Sequence, residues 1–505
     1  MTRLLLRALA VAGFLAGVAL LLWMAALSFL AAQERTRTYR YLSDALNPVE
    51  VPALAVSWAA PTRPLVRDFT PQDAASVGAA LTQAWRAFAV ASDTGETALL
   101  ADHFSSVALG RATLAAEDAA RNGTRMVILE QLARPQFLHL DGSVLQVTAQ
   151  ATTVRFALKD GALSQIELAQ DEARTTLTNE TTGWRVFSHE RTGSRALPSR
   201  SRPAVTIPRL VGFNYYPSGS PWRRFWPDFD PKVIAADLDL VASINGNAVR
   251  IFLPVADFGP DQAGQRNLLN LKVFLDLAKA RGIAVIPTLF DLKPGYRPAL
   301  WADDVAYLRR VLPVLVGSSA VVLVDLKNEP DLDRAGHGAG LVDAWLTTMA
   351  LMTHTIAPQL PLTIGWSSAN AAPGLVDLVD AVSYHDYAEP EGTADRLAAV
   401  RRTAQGKPVL VTEIGESSYT LALGFPGSPA TQATALQDRL GQLDKADGVL
   451  VWTLHDFPQI DAAAVGASPW VQSLQAQFGA FDQAGRMKPA GAAIRAAFAG
   501  ADHAP

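Results

Sequence analysis

The sequence predicts an α/β chain: a (β/α)8 barrel of the TIM type, preceded by a small α+β domain and an N-terminal transmembrane helix. Three observations carry this expectation. From about Ile207 onward, eight Val/Ile/Leu-rich runs alternate with helical stretches. Before them, helical spacing gives way at Arg125 to strand-like runs. At the start, Ala8 to Ala32 contains no charged residue. A chain of 505 residues exceeds one ordinary domain. Its 49% hydrophobic and 18% charged content excludes wholesale disorder. A net charge of -4, from 44 basic and 48 acidic side chains, gives no field to attract nucleic acid. With no cysteine, disulfides, thiolate metal sites and cysteine nucleophiles are all excluded.

Residues 1–34 are read as a signal anchor. The uncharged run exceeds the roughly 20 residues a spanning helix needs. Its best cleavage site, Ala26-Leu27-Ser28, is weak for a removable signal. Arg3 and Arg7 before the run and Arg35, Arg37 and Arg40 after it nearly balance the positive-inside rule. An extracytoplasmic location on the periplasmic or extracellular side is the expectation, set by the substrate class argued below. Residues 35–64 form a polar, proline-containing stem.

Residues 65–192 make the first folded block. A helix is expected from Pro71 through AALTQAWRAFAVAS, with Leu81, Trp85 and Phe88 on one face, and a second near Thr97 to Asn122. Four strands follow: RMVILEQLA, SVLQVTAQATTVRFAL, LSQIELAQDEARTTLT and GWRVFSHERT. This order, helices on a curved antiparallel sheet, resembles the cone-shaped NTF2-like fold. His103, His139 and His189 are read as surface or core-edge residues rather than a pocket, and the block as a spacer or a protein-partner module. Arg191 to Pro203 is a low-hydrophobicity connector, with 193–206 taken as the linker.

Residues 207–505 carry the barrel. The strands are RLVGFNYY, NAVRIFLP, IAVIPTLF, AVVLVDLK, PLTIGW, DAVSYH, PVLVTE and GVLVWTLH. Such continuous apolar runs suit parallel strands covered on both faces. No G-x-G-x-x-G follows the first strand, so a dinucleotide-binding sheet is not expected. GHGAG at Gly336 to Gly340 lacks the Lys-Ser/Thr of a phosphate loop and is read as a flexible loop.

In a barrel of this kind the chemistry sits where strands end. Strand four ends in Asn328-Glu329-Pro330 and strand seven in Val411-Thr412-Glu413, so two carboxylates can face each other across the mouth. Glu416 is a local competitor to Glu413 but lies past the strand end. The pattern, over roughly Pro208 to Phe498, resembles clan A glycoside hydrolases, and family 5, the cellulase family, in particular.

The resemblance implies Glu329 as acid/base and Glu413 as nucleophile of a retaining glycosidase. It implies Arg250 as the cation that keeps the nucleophile ionised and Asn328 as a partner of the sugar 2-hydroxyl. It further implies His385 in contact with substrate, Tyr387 bonded to the nucleophile, and Trp452 as an aromatic platform under the sugar. Asn214 and Tyr215, in GFNYYP, are expected at the rim. Where family 5 members commonly carry a histidine at the end of strand three, this chain has Phe290-Asp291.

The expected activity is hydrolysis of a β-linked glucan, mannan or related exopolysaccharide, with no cofactor. His455, Asp456, Asp291 and Asp325 show no metal-ligand spacing, and none is assigned as a ligand. Transglycosylation by the same site and a non-catalytic polysaccharide scaffold remain the alternatives.

Overall fold

The computed structural model describes residues 56–181, 183–197, 205–422 and 425–499. The run Ala8 to Ala32, and with it the expected membrane anchor, lies outside the described residues. Among the described residues no helix is long and apolar enough to cross a membrane.

The first block opens on a strand, β1 (Val56–Trp58), and a helix, Pro71–Thr94. The Thr70 side chain accepts from the Asp73 backbone N–H while the Asp73 carboxylate accepts from that of Thr70, a reciprocal cap that fixes the helix start. Pro71, with φ already helical, sits in the first turn. A second helix, Ser106–Asn122, follows. Then β2 (Thr124–Leu138), β3 (Val144–Lys159), β4 (Ala162–Glu180) and β5 (Gly183–Ala196) pair antiparallel in sequence order, with β1 added parallel to β2.

Both edges of this sheet correct the expected boundaries. Val56 pairs with Gln131, so the stretch read as stem already contributes a strand. At the other edge β5 continues to Ala196, opposite Ala169, so half of the expected connector is sheet. Its Arg191-Thr-Gly-Ser-Arg sequence is polar because an edge strand is solvated along its length, and charge there blocks pairing with other chains.

The sheet is covered on both sides. Ala133, Leu145, Val147, Leu177 and Val186 pack with the block's own helices. Val127, Leu129, Val154, Phe156 and Leu168 instead join the core of the barrel. Phe156 stacks on Trp301 with ring centres 5.0 Å apart, and Arg309 pairs with Glu130 at 2.7 Å. Arg86 adds an ion pair to Asp303. The two blocks therefore share one continuous apolar contact.

The barrel strands are β6 (Leu210–Asn214), β7 (Ala248–Pro254), β8 (Ala284–Asp291), β9 (Val324–Asn328), β10 (Leu362–Trp366), β11 (Val382–His385), β12 (Val409–Ile414) and β15 (Gly448–Val451). A short hairpin, β13 (Thr420–Ala422) and β14 (Phe425–Pro426), lies in the loop after the seventh. Each of the eight pairs parallel to its neighbours, and β15 closes onto β6. Gly212 permits one of these contacts, since a Cβ there would meet the Ala248 carbonyl oxygen at 1.8 Å.

The outer layer includes helices Pro231–Ser243, Gln262–Ala280, Trp301–Val316, Ala339–Ile356, Thr393–Thr403, Pro429–Leu440 and Pro489–Phe498. Asp230, Asp261 and Ser428 cap three of these with their side chains. The helix expected near Leu375 is only a 3-10 turn, Val376–Leu378. The GHGAG segment is not a loop. Gly336 and His337 end a helix, Pro330–His337, and Ala339 and Gly340 begin the next, with only Gly338 between them. The low helix propensity of glycine is overridden by tertiary contacts described below.

Candidate active site

A single arginine organises the mouth of the barrel. Arg250, on β7, has no solvent exposure. Its Nη1 donates to Glu413 Oε1 at 2.6 Å and Asn214 Oδ1 at 2.9 Å, and its Nη2 to Asp325 Oδ2 at 2.6 Å and Asn328 Oδ1 at 2.7 Å. Nε adds a second donor to Asp325, at 3.0 Å. A buried guanidinium is tolerated only when its donors are satisfied and its charge matched. Burial alone would push Arg250 down, but Asp325 and Glu413 outweigh it and hold it above its usual range. Asp325 is fixed in turn by Thr288 Oγ1 at 3.1 Å and the Gly365 N–H at 2.8 Å.

Glu413 stands on β12 facing this cation. Its second oxygen, Oε2, accepts from the Tyr387 hydroxyl at 2.9 Å. Both oxygens of the carboxylate are thus held, and Tyr387 Oη is pushed well above its usual range, first by burial of the hydroxyl and then by the Glu413 charge. Glu416 lies past β12, half-buried, its carboxyl raised by burial. It takes no part in this cluster.

Glu329 follows β9 in a left-handed conformation, φ 44, with its N–H on the Gly365 carbonyl at 2.7 Å. Its Oε1 lies 2.7 Å from His385 Nδ1. Burial alone would raise this carboxyl, but the hydrogen bond and charge of His385, then Arg250 and Lys327, outweigh it and hold it below the usual range. His385 Nδ1 is also 3.6 Å from Glu413 Oε2, and the ring is buried with Nε2 unpaired among the described residues.

One atom from each of Glu329, His385 and Glu413 lies within 4.8 Å of the others. That spacing would also suit a metal ion, yet the donor set does not. Glu413 already receives a guanidinium and a phenol, and His385 Nδ1 is committed to Glu329. The three form a chain of contacts, with His385 Nδ1 between the two carboxylates.

Of the remaining expected residues, Asn328 is in the cluster through Arg250, and Trp452 lies just past β15 with its indole N–H on Gln475 Oε1 at 3.0 Å. Trp452 sits edge-on to Tyr216 and Phe252, with ring centres 6.4 and 6.1 Å away. The two expected rim residues are not at the rim. Asn214 is wholly buried and bridges Arg250 to the Thr412 carbonyl at 2.8 Å. Tyr215 is also buried and points into the helical layer, its hydroxyl on Asp237 at 2.8 Å.

Thr288, Lys327 and Tyr216 are outside the expected site residues, Asp325 enters the expectations only as an acid set aside as a metal ligand, and Asp291 as such an acid and as the end of strand three. Tyr216 stacks on Phe252, ring centres 5.0 Å apart, and Phe252 lies under the Arg250 guanidinium at 4.8 Å. The Tyr216 hydroxyl reaches Asp291 Oδ2 at 3.3 Å, and burial raises the Asp291 carboxyl. The available signal was a lone acid in VVLVDLK and a lone base in AVRIF, isolated opposite charges inside barrel strands. His455 and Asp456 are structural, pairing with Asp237 at 2.8 Å and Lys488 at 2.9 Å.

No family model matches the chain, and no curated protein matches it. It is similar to solved structures of low identity. A GH5_18 protein from Streptomyces cattleya, in complex with GlcNAc, is 21% identical, with a TM-score of 0.48 over 59% of this chain and 82% of that one. An exo-β-1,4-mannosidase from Opitutaceae bacterium strain TAV5 is 21% identical, with a TM-score of 0.49 over 59% and 60%. A GH2 β-galacturonidase from Eisenbergiella tayi is 16% identical, with a TM-score of 0.47 over 74% and 72%.

Proposed function

We propose that this protein is a retaining β-glycoside hydrolase acting on a β-linked oligosaccharide or polysaccharide of the glucan or mannan type. The observation that carries the reading is the approach of Glu329 and Glu413, with one oxygen from each within 4.8 Å. Retaining glycosidases hold their two carboxyls about 5 to 5.5 Å apart, while inverting ones leave about 6.5 to 9.5 Å for a water. The environments also differ. Glu413 is clasped by Arg250 and Tyr387, which suits a group that attacks as an anion. Glu329 faces a histidine with which a proton can be shared.

In the first step the proton of the Glu329–His385 hydrogen bond passes through Glu329 to the glycosidic oxygen as the C1–O bond breaks and Glu413 bonds to C1. In the second, the Glu329 carboxylate takes a proton from water, the hydroxide attacks C1, and the bond to Glu413 breaks. Asn328, held by Arg250, would bond the sugar 2-hydroxyl, and Trp452 would supply the ring on which an apolar sugar face stacks. A sugar hydroxyl in place of water gives transglycosylation. The apolar run Ala8 to Ala32 supports membrane anchoring and a polysaccharide substrate supports an extracytoplasmic side, and protease protection in membrane vesicles tests both.

The decisive experiment compares the unmutated protein with Glu329→Gln and Glu413→Ala on a panel of β-glucans and β-mannans. Products from the first alone support the reading. Binding without turnover in all three would instead make the barrel a carbohydrate-binding scaffold. Mass spectrometry of a 2-fluoroglycoside adduct should find the sugar on Glu413, and an adduct elsewhere would remove the nucleophile assignment.

A further inference from the structure

The first block touches the barrel at one place that bears directly on Glu329. The β3–β4 hairpin turns on Asp160-Gly161, both with positive φ (52 and 78), the two-residue geometry that Asp-Gly favours. At this tip the Gly161 carbonyl accepts the Gly340 N–H at 2.9 Å. Gly340 lies in the first turn of the helix Ala339–Ile356, where backbone N–H groups have no acceptor within the helix. The residue before that helix, Gly338, has no side chain to supply one. A carbonyl from the other block therefore caps this helix. The approach is close enough to require glycine, because a Cβ on Gly340 would meet the Gly161 oxygen, the Ala162 carbon and the Leu163 nitrogen, each at 2.7 Å. Just along the hairpin, Leu158, Leu163 and Ile166 pack against the barrel core.

The capped helix is the downstream anchor of the segment that carries Glu329. That segment begins at Glu329 N–H on Gly365, runs through the partly exposed helix Pro330–His337, and ends at Gly338, whose N–H returns to the Arg334 carbonyl at 2.9 Å. Arg334 then ties to Asp343, in the capped helix, at 2.8 Å. A non-glycine residue at φ 44 is strained and persists only where its surroundings over-determine it. The barrel supplies the upstream hold, through Gly365 and through Ser367, whose N–H reaches Asp331 at 3.0 Å. The first block supplies part of the downstream one.

We infer that the α+β block is a built-in brace for the acid/base: its β3–β4 hairpin, through Gly161 and Gly340, positions the Glu329 segment. This rests on the assignment of Glu329 as the proton donor, and it gives the first block a role in turnover rather than that of a spacer. Gly161 and Gly340 are positioning residues, remote from the substrate.

The test uses the full chain with Gly340→Ala, which forces the hairpin off, and Leu163→Ser, which trims its apolar contact and alters no backbone contact. Two β-glycosides are compared, one with an alkyl or sugar leaving group that needs a proton, and one with a 2,4-dinitrophenyl group that departs without it. Both variants should lose kcat on the first by roughly tenfold to a hundredfold, the scale set by small misplacements of catalytic groups. For the second, kcat/KM, which reports only formation of the glycosyl-enzyme, should barely change, the pattern Glu329→Gln gives as reference even though its kcat falls for want of the base in the second step. Hydrogen exchange across residues 330–338 should quicken. Equal losses on both substrates would mean general damage and overturn the inference. So would unchanged exchange in both variants. If the unmutated protein turns over neither substrate, the assignment of Glu329 has failed, and the bracing stands or falls on the exchange alone.

Discussion

Arg250 and Glu413 meet at 2.6 Å inside the barrel, and the same guanidinium also neutralises Asp325 at 2.6 Å. One buried cation thus serves two carboxylates, of which only Glu413 has any solvent exposure. Replacing Arg250 by Met leaves Asp325 buried and unmatched, a change that costs about 3 to 5 kcal/mol. We expect a lowered Tm together with loss of activity. Arg250→Lys keeps the charge but not the fork of donors, and should recover part of the stability and little of the activity. Thermal unfolding and kcat/KM of the two variants check this. Equal stability of Arg250→Met and the unmutated protein would contradict the pairing.

The Tyr387 hydroxyl donates to Glu413 Oε2 while much of its ring remains exposed. Tyr387→Phe should therefore leave Tm nearly unchanged. Because a hydrogen bond to a charged group is worth about 1.5 to 3 kcal/mol, kcat/KM should fall roughly tenfold to a hundredfold. A variant as active as the parent would show that this contact does not matter to the chemistry.

His385 is the largest influence holding the Glu329 carboxyl down, against burial, which pushes it up. With His385 removed, burial gains weight and the carboxyl rises. The alkaline limb of kcat/KM reports the proton donor of the free enzyme. In His385→Ala it should move to higher pH, whatever the change in maximal rate. A limb that stays in place or moves to lower pH would contradict this account of the Glu329–His385 pair.

Asp257, just past β7, has a buried Oδ2 without a partner among the described residues, and burial raises its carboxyl to about 6. A carboxyl raised on folding holds its proton more tightly in the native state. It contributes stability below its unfolded value near 3.8, and that contribution is lost as pH rises through about 6. Asp257→Asn should accordingly be more stable than the parent at pH 7.5, by about 1 kcal/mol once solvent screening of this partly exposed group is allowed for. The gap should close near pH 4. Tm measured at both pH values distinguishes this from a pH-independent packing effect.

All eight barrel strands lie where their apolar runs placed them, because a strand covered on both faces has to be apolar throughout. Glu329, Glu413, Arg250, Asn328, His385 and Tyr387 come together as the strand order suggested, since a polar residue at the end of such a run has only the mouth to face. The Asn214-Tyr215 pair shows where that reasoning fell short. Adjacent residues on a strand point to opposite faces. Asn214 points inward and Tyr215 outward, so Tyr216, not Tyr215, was the aromatic to choose. The polar edge strand ending at Ala196 and the Gly338 joint were misread because composition reports exposure and propensity, and tertiary pairing overrode both.

By itself the sequence determined the barrel, its strand order and the pair of glutamates at strands four and seven. These follow from local apolar patterning, which every residue along a strand reports. Only the tertiary structure decided that Asp325 shares the guanidinium of Arg250, that His385 Nδ1 meets the Glu329 carboxyl, and that the first block caps a helix of the second through Gly161 and Gly340. Those relations join residues far apart in the chain by single hydrogen bonds and close approaches. No periodicity records such contacts, because their energy depends on a distance set by the packing of the whole molecule.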